Sequence, residues 1–109
     1  GVNMSDMNTL VAVSIAPIAS QEELAPQIAE VIRVIRSSHL PNQTYSMFTE
    51  IEGPWDEVMA IVKEATQVLT DRGIRTIVNV KADVRPGHSG TMKRKVEKVN
   101  RILNEETAK

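Results

Sequence analysis

The order in which strand-type and helix-type patterns follow one another restricts the fold of this chain more than any other feature of its sequence. Residues Thr9–Ala16, "TLVAVSIA", are apolar or β-branched at nearly every position, which predicts a strand covered on both faces. An S-x-x-E capping box at Ser20 and Glu23 precedes an apolar stripe that continues to Ile35, which predicts an amphipathic helix. The next segment, "QTYSMFTEIEG", predicts either one long bent strand or a tight hairpin, and we favour a hairpin that turns near Ser46.

A second helix, a fourth strand and a third helix follow. Gly53 is expected to cap the second helix, Pro54 fits its first position, and Gly73 fits a left-handed stop at its end. The segment "RTIVNVKADV" predicts the last strand, and an apolar stripe from Met92 to Leu103 predicts the third helix. The order β-α-β-β-α-β-α predicts an α+β fold, namely a ferredoxin-like βαββαβ sandwich with an extra C-terminal helix.

The length of the chain fits one domain with an ordinary core. Of its 109 residues, we expect 9–109 to form a single ferredoxin-like domain. Residues 1–8, "GVNMSDMN", are expected to be a tag remnant or a disordered N-terminus.

The alternation of side chains along the strands predicts which residues face the helices. In the last strand the set that suits the helices is Val78, Val80 and Ala82, and the set expected on the open side is Ile77, Asn79 and Lys81. In the first strand the same alternation places Val11, Val13 and Ile15 under the helices and Leu10, Ala12 and Ser14 on the open side. Because soluble monomers rarely expose such a face, we expect the third helix or a second subunit to cover it, and a dimer or tetramer built through sheet faces and edges.

Composition argues against several classes of function. Thirteen basic and fourteen acidic residues give a net charge of −1, so no global field favours nucleic acid or an anionic membrane as partner. The chain has no cysteine and no apolar run of membrane-spanning length, and we expect a cytoplasmic protein. The two histidines, His39 and His88, have neither a ligand partner at helical spacing nor a triad pattern. We therefore expect no enzyme, no metal site and no cofactor.

The segment "RPGHSGTMKRK" raises the question of an anion site. Basic residues crowd the predicted start of the third helix, where the free N–H groups attract anions: Arg85, His88, Lys93, Arg94 and Lys95. The spacing of the glycines does not match a phosphate-binding P-loop. A solvated exit loop is the favoured interpretation, and a weak anion site at Arg85, Arg94 and Lys95 is the other.

Aromatic and acidic residues share the predicted hairpin. Tyr45 and Phe48 lie close in sequence to Glu50 and Glu52, a combination that suits a small aromatic cation through stacking and charge balance. Ordinary roles, with Phe48 in the core and Glu52 at a strand end, are favoured from these residues alone.

Four blocks of the sequence resemble a known family. They are "VAVSIAPIAS", "MFTEIEGPWDEVMAIVKEA", "RTIVNVKADVR" and "TMKRKVEKV", and together they are similar to the successive blocks of the small YkoF-like thiamine-binding proteins, over about residues 9 to 103. The resemblance implies a ferredoxin-like fold, dimers or tetramers, and non-catalytic binding of thiamine or its hydroxymethylpyrimidine part.

The resemblance, together with the residue types, implies a set of ligand-binding residues. Neutral hydrogen-bonding groups suit an aminopyrimidine edge and a carboxylate suits a cationic ring, which gives as candidates Ser14, Phe48, Thr49, Glu52, Asn79 and Lys81. The chain departs from the family pattern at Phe48, where glycine is frequent, at Asn79, where serine is common, and at Ala82, where a larger aliphatic residue is usual. Phe48 either stacks on a pyrimidine or fills the space.

Two functions stay open at this point. The first is a binding protein for thiamine or a related pyrimidine in thiamine homeostasis. The second is a regulatory or structural oligomerisation module without a small-molecule ligand. A rise in melting temperature with ligand would distinguish the first from the second.

Overall fold

The computed structural model describes residues 7–18 and 24–107, which form four strands and three helices. The strands are β1 (Asn8–Pro17), β2 (Asn42–Thr44), β3 (Thr49–Pro54) and β4 (Thr76–Val84). The helices are α1 (Ala25–Arg36), α2 (Trp55–Thr70) and α3 (Thr91–Thr107). All strand pairs are antiparallel, in the order β2-β3-β1-β4. The predicted ferredoxin-like βαββαβ fold with an extra C-terminal helix is therefore confirmed.

The N-terminal boundaries differ in detail from the predicted ones. β1 begins at Asn8, so this residue belongs to the sheet rather than to the expected disordered terminus. Residues 1–6 of that terminus lie outside the described residues, as does the predicted capping box at Ser20 and Glu23. The described part of α1 begins at Ala25, with a proline in its first turn.

The predicted hairpin is confirmed. The backbone N–H of Tyr45 donates to the carbonyl of Phe48 at 2.8 Å, so residues 45–48 form the turn and include Ser46. β2 and β3 pair on either side of it, with Thr44 opposite Thr49.

The start of α2 lies one residue later than predicted. Gly53 is a buried residue of β3 rather than a helix cap, and an added Cβ would lie 2.8 Å from Leu40 Cδ2. This close approach explains the glycine. Pro54, not Gly53, occupies the N-cap position, and Trp55 is the first helical residue. The predicted stop at Gly73 is confirmed by its φ of 74°.

The core lies between the sheet and the two crossover helices, α1 and α2. It is built from apolar residues of β1, β3 and both helices: Val11, Val13, Val31, Ile35, Leu40, Ile51, Val58, Ile61, Val62, Ala65 and Leu69. Ile15 and Val78 pack against this cluster, as the alternation predicts. The prediction that Val80 and Ala82 are covered is wrong, because both are exposed. β4 is an edge strand, and the helices pack mainly over the inner strands.

The helix α3 does not cover the other side of the sheet, which we call the open face. Its contacts with the described part of the sheet are concentrated near its start, and Val96 and Val99 are more than half exposed. The molecule measures 53 × 37 × 20 Å. None of the helices in residues 7–18 and 24–107 is both long and apolar enough to cross a membrane.

Candidate functional site

A groove of about 160 Å³ opens beside the β2–β3 turn, and we call it the hairpin groove. It is lined by residues 13–15 of β1, residues 44–49 of the hairpin, and isoleucine and valine side chains of α1. Its origin is the strand register. β3 begins at Thr49 opposite Val13, whereas β1 continues to Pro17, so the end of β1 has no neighbour on that side among the described residues.

Five residues with hydroxyl groups line this groove: Ser14, Thr44, Tyr45, Ser46 and Thr49. Thr44 and Thr49 are partners across the hairpin, and Thr49 is also opposite Val13 of β1. The hydroxyl oxygen of Thr44 is buried and has no hydrogen-bond partner among the described residues. An unsatisfied buried hydroxyl is costly, so the described chain leaves one hydrogen bond of the groove unformed.

Two aromatic rings form the outer wall of the groove. The rings of Tyr45 and Phe48 have centroids 5.3 Å apart and planes inclined by 43°. Phe48 is 39% exposed, so it lines the groove and does not belong to the core. The groove therefore combines an apolar floor, hydroxyl groups and an aromatic rim, which suits a flat ring with a hydrogen-bonding edge.

The candidate residues predicted from the sequence do not all share one surface. Ser14 and Asn79 are opposite each other on the open face, and Lys81 is opposite Ala12 on the same face. Thr49 lies on the other, helix-covered face, because it shares the alternation of Val13. The structure thus brings Ser14, Phe48 and Thr49 to the hairpin groove and leaves Asn79 beside Ser14 on the open face.

Glu52 lies at the opposite end of the open face. It is opposite Leu10, four residues before Ser14 on β1, a separation of about 13 Å along the strand. Its carboxylate accepts hydrogen bonds from the backbone N–H groups of Thr91, at 2.7 Å, and Met92, at 3.1 Å. The side-chain amide of Asn8 also donates to it, at 2.8 Å. Glu52 therefore caps the N-terminus of α3.

The capping contacts change the ionisation of Glu52. Burial disfavours its charged form, but the hydrogen bonds from Asn8, Met92 and Thr91 outweigh burial and hold the pKa of Glu52 below its ordinary value of 4.5. The negative charge also complements the dipole of α3, whose first turn contains no acidic residue. This carboxylate is already engaged, so it is not free to balance a cationic ring.

The groups of the weak anion site, the less favoured interpretation of this segment, make other contacts in the structure. Lys95 donates to the carboxylate of Asp83 on β4, and this hydrogen bond lowers the pKa of Asp83. Arg85 and Arg94 are exposed on the loop and first turn around the α3 N-terminus. The N–H groups of Thr91 and Met92, which would bind an anion, bind Glu52 instead.

A larger cavity of about 580 Å³ lies between the α3 N-terminus and the end of the sheet, and we call it the end cavity. Met7, Leu40, Pro41 and Met92 contribute apolar walls, and Glu52 faces it. Both oxygens of Glu52 already accept hydrogen bonds, so this cavity offers volume without a free carboxylate.

Sequence reasoning missed Thr44 and the α1 residues that line the groove. No local pattern marks them, because their role follows from how β2 and α1 meet the end of β1. The aromatic pair was visible in the sequence as the spacing of Tyr45 and Phe48 around a turn.

Comparisons with known proteins cover most of the chain, including the residues that line the hairpin groove. The chain matches the profile of the thiamine-binding protein family over residues 11–100. A UPF0045 protein of Mycobacterium bovis is 45% identical over 98 residues, which are 89% of this chain and 96% of that protein. A UPF0045 protein of Eremothecium gossypii is 30% identical over 104 residues, covering 94% and 99% of the two chains.

Solved structures have the same architecture. A domain of unknown function, DUF77, from Bacillus cereus superimposes with a TM-score of 0.73 at 26% identity and covers 86% of this chain and 91% of its own. A hypothetical protein from Methanocaldococcus jannaschii superimposes with a TM-score of 0.72 at 29% identity, covering 85% and 96%. Since the family profile spans most of the chain, from β1 to the middle of α3, the chain belongs to the thiamine-binding protein family.

Proposed function

We propose that this protein binds thiamine or its hydroxymethylpyrimidine part in the hairpin groove, without catalysing a reaction, and serves thiamine homeostasis in the cytoplasm. Membership of a binding-protein family supports the ligand class. The observation that carries the proposal is the buried hydroxyl of Thr44, which has no hydrogen-bond partner among the described residues and lies in the groove that the Tyr45–Phe48 pair also lines. It offers a hydrogen bond to an aminopyrimidine edge while the aromatic rings contact its face.

The size of the groove favours the pyrimidine as the part that enters. A volume of about 160 Å³ is below the roughly 300–1,000 Å³ of pockets that enclose drug-sized ligands. One ring therefore fits in the groove, and the thiazolium of thiamine would extend over the exposed faces of Tyr45 and Phe48, where a cation is attracted to an aromatic face.

Calorimetric titration tests the proposal with three ligands: thiamine, hydroxymethylpyrimidine and hydroxyethylthiazole. We expect thiamine and hydroxymethylpyrimidine to bind and the thiazole to bind weakly or not at all. Absence of heat with all three would favour the oligomerisation module without a ligand.

The variant Thr44→Val tests the groove itself. Because the hydroxyl has no hydrogen-bond partner within residues 7–18 and 24–107, replacing it with a methyl group should not lower folding stability. The affinity for hydroxymethylpyrimidine should fall about tenfold, which corresponds to roughly 1.4 kcal/mol, the scale of one hydrogen bond. Thr66→Val is the matched control, since the Thr66 hydroxyl donates to the Val62 carbonyl within α2, away from the groove.

A second variant, Asn79→Leu, separates the groove from the open face. Asn79 is exposed opposite Ser14, so a ligand that reaches the open face would lose a hydrogen bond there. We expect a smaller loss of affinity than with Thr44→Val. If Asn79→Leu abolishes binding while Thr44→Val does not, the ligand lies on the open face and the groove assignment is wrong.

We also propose that a second copy of the chain covers the open face. Ile77 is 47% exposed there, and β4 leaves a nine-residue strand edge unpaired within the described chain. Exposed apolar residues and long free edges are typical of surfaces that associate. The mass of the protein in solution tests this part of the proposal.

A further inference from the structure

We propose that Met47 is an oxidation-sensitive site at the hairpin groove, where a peroxide converts the thioether to a sulfoxide and thereby weakens the binding of a ligand. Met47 lies in the turn of residues 45–48 and lines the groove. It is 83% exposed, the largest exposed fraction among the large apolar side chains of the described residues. The effect on binding rests on the function proposed above, whereas the oxidation itself does not.

The composition of the chain makes methionine the side chain that a mild oxidant attacks. The sequence contains five methionines and no cysteine, so a peroxide meets no thiol that would react in their place. Oxidation is fastest where the sulfur is most accessible. Of the four methionines within the described residues, Met47 is the most exposed. Met7 is 46% exposed, and Met59 and Met92 are half-buried.

The geometry of the turn does not explain an exposed methionine at this position. Tight turns favour Gly, Pro, Asn, Asp and Ser, which permit the required dihedral angles or form hydrogen bonds to the backbone. Residues 45–48 instead place three large side chains at the groove, those of Tyr45, Met47 and Phe48. The two rings contact each other, and Met47 is more exposed than either ring. Because methionine is unbranched and flexible, this side chain can fold over a ligand in the groove.

The modification is a two-electron oxidation of the Met47 sulfur. The sulfur attacks one oxygen of hydrogen peroxide, so the S–O bond forms as the O–O bond breaks. The hydroxide that leaves takes the proton from the oxygen on sulfur and becomes water, which gives the neutral sulfoxide. Methionine sulfoxide reductases reverse the step, because two thiols reduce the sulfoxide to the thioether and yield a disulfide and water.

The sulfoxide changes the contact that Met47 offers to a ligand. A thioether is apolar and polarisable, and it contacts aromatic rings favourably. A sulfoxide oxygen accepts hydrogen bonds, so folding it over a pyrimidine ring would remove it from water without a partner, which is costly. In the free protein the exposed side chain keeps that oxygen in water. Oxidation of Met47 should therefore lower the affinity for the ligand without lowering the stability of the fold.

Mass spectrometry of peptides tests the site of modification. The protein is treated with increasing hydrogen peroxide, the reaction is stopped with free methionine, and fragment ions distinguish Met47 from Met59. We expect Met47 to be oxidised first among the four methionines of the described residues. Oxidation of Met7, Met59 or Met92 at an equal or higher rate overturns the proposal.

Calorimetric titration with hydroxymethylpyrimidine tests the effect on binding, after the peroxide has been removed. The affinity of the wild-type protein should fall at least about threefold on oxidation and recover after treatment with sulfoxide reductases. In Met47→Leu the oxidised and untreated samples should bind equally, because leucine is apolar and carries no sulfur. Met7→Leu is the matched control and should lose affinity on oxidation as the wild type does, since Met7 lies at the end cavity, outside the groove.

The outcomes separate this proposal from the proposed ligand. Binding that oxidation does not weaken, or an equal loss in Met47→Leu, overturns the proposal and leaves the ligand assignment in place. A lower melting temperature of the oxidised protein also overturns it, because the loss of affinity would then follow from damage to the fold. Absence of heat with the untreated protein contradicts the ligand assignment and the effect on binding together, and the order of oxidation then decides the modification site alone.

Discussion

Glu52 illustrates how a single residue identified from sequence can have a different role in the structure. It is the only charged residue among the buried side chains of the described chain. Its sequence context suggests a counter-charge for a cationic ligand, but its carboxylate accepts the N–H groups of Thr91 and Met92 instead. One side chain on β3 thus supplies the negative charge that the first turn of α3 lacks.

The first prediction concerns the variant Glu52→Gln. An amide places a donor next to N–H donors and removes the charge, so we expect a loss of roughly 1–3 kcal/mol in the free energy of unfolding at pH 7. Urea denaturation measures this loss. Glu50→Gln, on the same strand and face, is the control and should change stability little, since Glu50 is not among the capping contacts of α3.

The pH dependence of the same variant follows from the lowered pKa of Glu52. A carboxyl group with a depressed folded-state pKa stabilises the fold above its ordinary pKa, 4.5 for Glu52, and loses that contribution as the pH falls through the folded-state pKa. The stability difference between wild type and Glu52→Gln should therefore shrink from pH 7 to about pH 3. A difference that is constant over this range would show that ionisation of Glu52 does not contribute.

At the level of elements, the sequence predicts most of the fold because each element has its own local pattern. The hydrophobic run of β1, the stop at Gly73 and the hairpin around Ser46 each depend on neighbouring residues only. The features that sequence reasoning missed depend on register between distant segments. Thr49 faces the helices because of its pairing with Val13, and Glu52 meets Thr91 across 39 positions.

The second prediction concerns the recognition of phosphate near the first turn of α3. The backbone N–H groups of Thr91 and Met92, at the start of α3, donate to Glu52, and Lys95 donates to Asp83. A phosphate at the N-terminus of α3 would therefore lie next to a carboxylate. We expect thiamine phosphate to bind no more than about tenfold better than thiamine at physiological salt. The double variant Arg85→Glu with Arg94→Glu should leave that ratio unchanged, because neither residue belongs to the proposed groove.

Calorimetry with both ligands provides the measurement, and Arg101→Glu, farther along α3, controls for the change in net charge. A preference above tenfold for the phosphate ester that disappears in the double variant, but persists in Arg101→Glu, would make this loop part of the binding site. The exposed basic residues would then act on the ligand directly despite the cap by Glu52.

At the scale of the whole molecule, α1 and α2 cover one face of the sheet, and the start of α3 covers only the end of the other face that holds Glu52. The 20 Å shortest dimension reflects this two-layer build, and the 53 Å longest dimension is consistent with an α3 that leaves the sheet after its first turn. Most of the open face therefore remains uncovered in the described chain.

The last prediction tests the open face with a pair of substitutions on one strand. Ile77 and Val80 of β4 are similarly exposed, at 47% and 40%, but they lie on opposite faces of the sheet. We expect wild-type protein to scatter light as at least twice the chain mass of 12.1 kDa at micromolar concentration. Ile77→Lys should lower that mass, because association would bury an unpaired charge, whereas Val80→Lys should not. A wild-type mass near 12.1 kDa, or an equal effect of both lysines, would exclude the open face as the surface that associates.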